Sequence, residues 1–196
     1  MKLNIPSLVK AGVTIAMLLL SGVLRTTVIA ETGATWYNCL TREVWTPEKQ
    51  VWCNRWKTLQ NATYLVPGRL TPNAELIPVT LKNGRYQRQD RKFFVELVNE
   101  KNWLAFGDLN SDGKQDAAVI FGVALDPDGR AIGTYLTAVL DVDGKPRAIA
   151  PIRLGERIML NGPITIANHS ITVPFLTQTE VINRVYAIDE ILKERR

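Results

Sequence analysis

From residue 61 onward, apolar positions recur every second residue and turn residues interrupt them, the pattern of short strands with one buried face. Residues 93–98, 103–106, 135–140, 148–154, 157–160, 164–167, 171–175 and 181–188 read as such strands. Residues 117–125 are almost wholly apolar, which predicts a central strand covered on both faces. Asn83-Gly84, between Val79-Thr80-Leu81 and Tyr86, predicts a two-residue hairpin turn, because both residues tolerate positive φ. The charged residues 190–196 read as a short helix or a frayed tail. The class expected is mainly β with one helix (α+β): an antiparallel sheet or meander, sandwich-like or barrel-like.

The helix belongs to residues 31–60, where the period changes. Thr46-Pro47-Glu48 is a helix start: threonine caps, proline suits the first helical position, and glutamate meets the positive end of the helix dipole. Trp52, Trp56 and Leu59 then share one helical face, predicting a helix over 47–60. Trp36, Trp45, Trp52 and Trp56 are four of the five tryptophans in the chain. They read as packing for the helix on a sheet, since large aromatics dominate core burial. The other reading is a platform for a sugar or a protein partner. Pro67-Gly68 and Pro72 mark a loop joining this tryptophan-rich head to the β domain over 61–196, and 31–196 forms one globular unit.

Residues 1–30 look like a different kind of segment. Lys2 and Lys10 precede an apolar run of 14 residues, 11–24, and Val28-Ile29-Ala30 offers a cleavage site before Glu31. That run is shorter than the roughly 20 residues that span a bilayer. A cleaved signal is therefore expected, with no membrane insertion after cleavage; an uncleaved N-terminal anchor is the other reading. No cysteine lies at the cleavage site for lipid attachment. The expected location is the periplasm, a thylakoid lumen or the extracellular space. Removing the segment takes three of the 24 basic residues and no acid, leaving 21 against 19 and a net charge of +2. The basic balance of the full chain is thus largely the signal's, and the clustered basic face needed for nucleic acid loses its support. Cys39 and Cys53 are the only cysteines, with 13 residues between them. Outside the cytoplasm such a pair forms a disulfide, here tying the middle of the helix to the chain before it. A metal or redox pair is the rival, without CxxC spacing.

One stretch carries recognisable chemistry. Residues 108–116 read Asp-Leu-Asn-Ser-Asp-Gly-Lys-Gln-Asp. Asp108, Asn110, Asp112 and Asp116 place side-chain oxygens at alternating positions, the Lys114 carbonyl adds another, and Gly113 permits a sharp turn. Calcium, a hard cation, takes six to eight oxygens. The stretch from Gly107 to Asp116 resembles the calcium loop of FG-GAP or VCBS repeats. That resemblance implies a strand–loop–strand site with structural Ca2+, and Phe106 before it and Ala117-Ala118-Val119-Ile120 after it suit that context. It departs from an EF-hand, since Val119 stands where the bidentate glutamate belongs. A propeller needs several such repeats and the chain has one. More broadly, residues 107–178 resemble a group of exported proteins from cyanobacteria and related bacteria, a likeness that implies no activity. Asp126-Pro127-Asp128-Gly129 and Asp141-Val142-Asp143-Gly144 begin alike but carry Arg130 or Lys145 at the fifth position, and read as hairpin turns. Residues 108–116 are accordingly either a calcium loop or a plain turn.

No GxSxG, P-loop, HExxH or GxGxxG motif is present. His169, in Asn168-His169-Ser170, reads as a solvated turn residue. The expectation is an exported, non-enzymatic β domain that acts as a structural or interaction module, with an unknown protein or glycan partner. The alternatives are a carbohydrate- or cell-wall-binding module using the tryptophans, and a hydrolase whose carboxylate pair draws on Asp90, Glu96 or Glu156.

Overall fold

The computed structural model describes residues 36–71, 73–125 and 132–188. Residues 1–30, 126–131 and 190–196, where the sequence leads one to expect a signal, a hairpin turn and a short helix or tail, lie outside the described residues. Strand makes up 47% of the structure and helix 10%, so the mainly β expectation holds.

Helix α1 (Pro47–Leu59) starts as its sequence dictates: the Thr46 hydroxyl accepts the Lys49 amide at 3.3 Å, and Pro47 occupies the first turn. Twelve strands follow among the described residues. β1 (Thr63–Pro67) and β2 (Leu76–Thr80) pair as an antiparallel hairpin. β3 (Arg85–Gln87), β4 (Phe94–Leu97), β5 (Leu104–Gly107), β6 (Asp116–Ala124), β7 (Ile132–Val142), β8 (Lys145–Ala148) and β9 (Ile152–Gly155) build a seven-stranded antiparallel sheet curled into a half-barrel. β10 (Thr165–Ala167), β11 (Ser170–Leu176) and β12 (Val181–Ala187) form a third, antiparallel sheet.

β6 is the central strand that its apolar run predicts. Ala117, Val119, Phe121 and Val123 join a core with Trp56, Leu59, Tyr64 and Val79, from α1 and the β1–β2 hairpin. Ala118 and Ile120 point the other way, into a core with Ile171, Val173 and Phe175 of β11. A period of two on a strand covered from both sides thus feeds two cores. One edge of β6 is shared: β5 pairs with residues 116–119 and β4 with residues 121–124. At Gly107 of β5 an added Cβ would lie 2.7 Å from Ile166, so β10 crosses there at a distance that only glycine allows.

The predicted turns form locally. Asn83 and Gly84 both have positive φ, 52° and 81°, but the turn closes only the Lys82–Arg85 bridge. The strand before it pairs with β1 and the strand after it with β4, so no long hairpin spans the turn. Asp143-Gly144 and Asn168-His169 make the same kind of turn between β7 and β8 and between β10 and β11. Two strand expectations need correction. Residues 148–154 are not one strand: β8 and β9 both pair with β7, and the chain between them contains Pro151, which has no amide to donate. Residues 157–160 form no strand; Leu160 alone bridges to Phe175 of β11, and Gly155, at φ 154°, ends β9 just before them.

Candidate functional site

The Cys39–Cys53 disulfide is present, with Cα atoms 5.7 Å apart. It ties the segment before α1 to the middle of the helix. Beside it, Trp36 and Tyr37 meet Trp52 edge to face, with ring centroids 6.4 and 6.0 Å apart. Trp52 in turn meets Phe106 of β5 edge-on at 6.1 Å. A groove of about 600 Å³ opens here, within the range of small-molecule sites. Trp36, Tyr37, Trp52 and Phe106 are its aromatic lining, and Glu48, Arg55, Lys101 and Gln115 its polar side chains.

The four tryptophans of the head therefore separate. Trp56 lies in the core at 5% exposure, as helix packing predicts. Trp36 and Trp52 are half-buried and line the groove. Trp45 is half-buried away from it, its indole N–H donating to the Thr41 carbonyl at 3.2 Å and the Lys49 ammonium lying over its ring. Lys49 itself is buried and pairs with Glu43, whose carboxyl is held below the usual range first by that hydrogen bond and then by one from Thr41. Phe106, Tyr37 and Arg55 were not legible as site residues, because their convergence joins parts of the chain far apart in sequence.

Among the described residues, Glu48 is the one carboxylate in the groove lining. Its own backbone amide, and next the Thr46 hydroxyl, hold its carboxyl below the usual range. Arg55 places its guanidinium 5.8 Å from the Phe106 ring centroid, a cation–π distance. Among the described residues neither Arg55 nor Lys101 forms an ion pair.

The 108–116 stretch is the loop between β5 and β6, closed by the Gly107–Asp116 pair. Asp108 accepts the amides of Asn110 and Ser111 on one oxygen, at 3.2 and 2.7 Å, and that of Gly113 on the other, at 3.0 Å. Desolvation pushes the Asp108 carboxyl up, but these three amides together with His169 outweigh it and hold the group below its ordinary value. Asn110 accepts the Asp112 amide and Asp112 the Lys114 amide, at 3.1 and 2.8 Å. Ser111 and Gly113 have positive φ, 64° and 76°, which lets successive amides turn inward. Asp116 is buried at 1% exposure; its two oxygens accept the Leu109 and Asp141 amides, each at 2.9 Å. The Lys114 ammonium pairs with Asp143 of the β7–β8 turn at 3.6 Å. His169 is exposed in its turn, yet its Nδ1 lies 3.2 Å from the Asp108 carbonyl and its ring reaches the Ser111 hydroxyl.

Among the described residues, no three Asp, Glu, His or Cys side chains converge as a metal cage. The three carboxylates considered for hydrolysis are each engaged by an arginine at the surface: Asp90 by Arg88, Glu96 by Arg85 and Glu156 by Arg153. No helix among the described residues is long and apolar enough to cross a membrane. Comparison with known proteins finds no family model, no curated protein and no solved structure that matches this chain.

Proposed function

We propose that this protein is an exported, non-enzymatic interaction module that docks its partner in the aromatic groove, with the disulfide and a calcium loop holding the fold. The observation that carries the reading is the composition of the groove: among the described residues, four aromatic side chains and a single carboxylate. Acid–base hydrolysis uses two carboxylates flanking one bond, whereas flat aromatic surface with a few polar groups suits binding. Trp36 and Trp52 in the lining also favour the narrower reading, a glycan-binding module. Export is supported by residues 1–30 and by the disulfide, which persists in oxidising compartments.

Binding without turnover is the discriminating result. A panel of soluble oligosaccharides and peptides, titrated against residues 31–196 while tryptophan emission is followed, should include a ligand that saturates. Trp36→Ala should weaken that ligand at least fivefold, and mass spectrometry should recover it intact. A panel that leaves the emission unmoved, or a ligand recovered cleaved, overturns the reading.

The calcium part of the proposal assigns Asp108, Asn110, Asp112 and the Lys114 carbonyl as ligands, completed by water. The support is their shared hard-oxygen chemistry and the resemblance to FG-GAP or VCBS loops. Asp116 is the remaining ligand: it keeps lone pairs beside the two amides it accepts, as Asp108 does beside its three, and it also braces the loop. Calcium binding only the native loop stabilises it by RT ln(1 + [Ca2+]/Kd). With a Kd of roughly 10⁻³ M, as in weak extracellular modules, 10⁻² M calcium adds about 1.4 kcal/mol. That should raise Tm by about 3–6 °C in a domain of this size. Asp112→Ala should abolish the shift and Asp128→Ala should leave it. No shift in the wild type removes calcium from the proposal, and loss of the shift in Asp128→Ala moves the ion elsewhere.

A further inference from the structure

The groove has a charge as well as a shape. Its cations, Arg55 and Lys101, form no ion pair among the described residues, and Glu48 is the one carboxylate among the described lining residues, so the lining carries a net positive charge. An aromatic surface with two cations against one carboxylate, net positive among the described residues, selects a ligand that presents an apolar face and a fixed negative charge. A pyranose ring meets the first demand: one face is C–H only and stacks on an indole, while its hydroxyls project outward to groups such as Gln115 and Glu48. The guanidinium of Arg55, a planar fork of donors matched to carboxylate and sulfate oxygens, meets the second. Its contact with Phe106 holds it at the groove wall rather than out in solvent. An acidic peptide shares the charge, but this lining is aromatic where a side-chain pocket for alternate residues of a strand would be expected.

Resting on the reading of this groove as a docking site, we propose that its occupant is an anionic glycan. A pyranose ring stacks on Trp36 or Trp52, and its carboxylate or sulfate ester is held by Arg55 and Lys101.

The test titrates residues 31–196, disulfide intact, with four probes: hexagalacturonate, its methyl ester, κ-carrageenan hexasaccharide and a glutamate-rich peptide. Calorimetry and tryptophan emission are the readouts. Hexagalacturonate or the carrageenan oligomer should bind at least tenfold more tightly than the neutral ester; which of the two does so identifies carboxylate or sulfate as the source of charge. Arg55→Ala and Lys101→Ala should each weaken that binding at least fivefold, and Arg55→Lys should restore part of it. Circular dichroism melts of the variants separate lost binding from lost fold, and raising NaCl tenfold should weaken binding further. Equal affinity for the ester overturns the anionic requirement and leaves the groove as a glycan site. Binding of the peptide alone overturns the glycan and leaves the groove as a docking site. Silence to all four overturns the anionic glycan, and the docking reading itself falls only if the wider panel is silent as well.

Discussion

Asp116→Ala should destabilise the protein by about 2–6 kcal/mol, because the buried Leu109 amide and the part-buried Asp141 amide each lose their acceptor at about 1–3 kcal/mol apiece. The side chain is 1% exposed and bonds Leu109 of its own loop and Asp141 of β7, each at 2.9 Å. It therefore joins the β5–β6 loop to the far end of the neighbouring strand. Leu109, fully buried, depends on that closure to reach its core. Urea denaturation should show the loss as a lower midpoint at an unchanged slope. Asp116→Asn keeps one acceptor oxygen and should lose less. A cost under 1 kcal/mol for the alanine variant would mean that water reaches both amides, and the bracing role would be wrong.

The double variant Cys39→Ser, Cys53→Ser should lose about 3 kcal/mol, the chain-entropy value for a loop of about 15 residues. The effect should not stop at stability. The segment before α1 carries Trp36 and Tyr37 onto Trp52 at centroid distances of 6.4 and 6.0 Å, and the disulfide is its covalent hold. Losing that hold should flatten the near-ultraviolet circular dichroism of the tryptophans while leaving the far-ultraviolet β signal, since the disulfide touches only the margin of the first core, where Cys39 packs against it, and the strands of both cores are paired independently of it. Reduction by dithiothreitol should reproduce both changes. A variant with wild-type Tm and an intact near-ultraviolet spectrum would show that noncovalent packing alone builds the aromatic stack.

Features set by neighbours within a few residues were legible in the sequence. Thr46-Pro47 starts the helix there because capping and a fixed φ act within one turn. Asn83-Gly84 and Asp143-Gly144 adopt positive φ because those residues bear it at low steric cost. The unbroken apolar run of β6 foretold cover on both faces, and Trp56 and Leu59 entered the core as their helical spacing required. The break at Pro151 was just as local and was missed, because the apolar pattern runs across it and the absent donor does not show in hydrophobicity.

What crosses the chain was decided only by the tertiary structure. No spacing announces that Asn83-Gly84 would close a single bridge, because the strand before it finds β1 and the strand after it finds β4. Nor does any spacing place Phe106 beside Trp52, Asp116 beneath the Asp141 amide, or the lone histidine on the Asp108 carbonyl. The residue types of the loop were readable as oxygen donors; that Asp116 spans to a neighbouring strand depends on the register of β6 against β7. The reason is physical. Steric and capping preferences act over a few residues and leave a mark in local sequence, whereas sheet partners and groove walls are selected by which buried surfaces fit together, a choice among distant segments made only when the whole core packs.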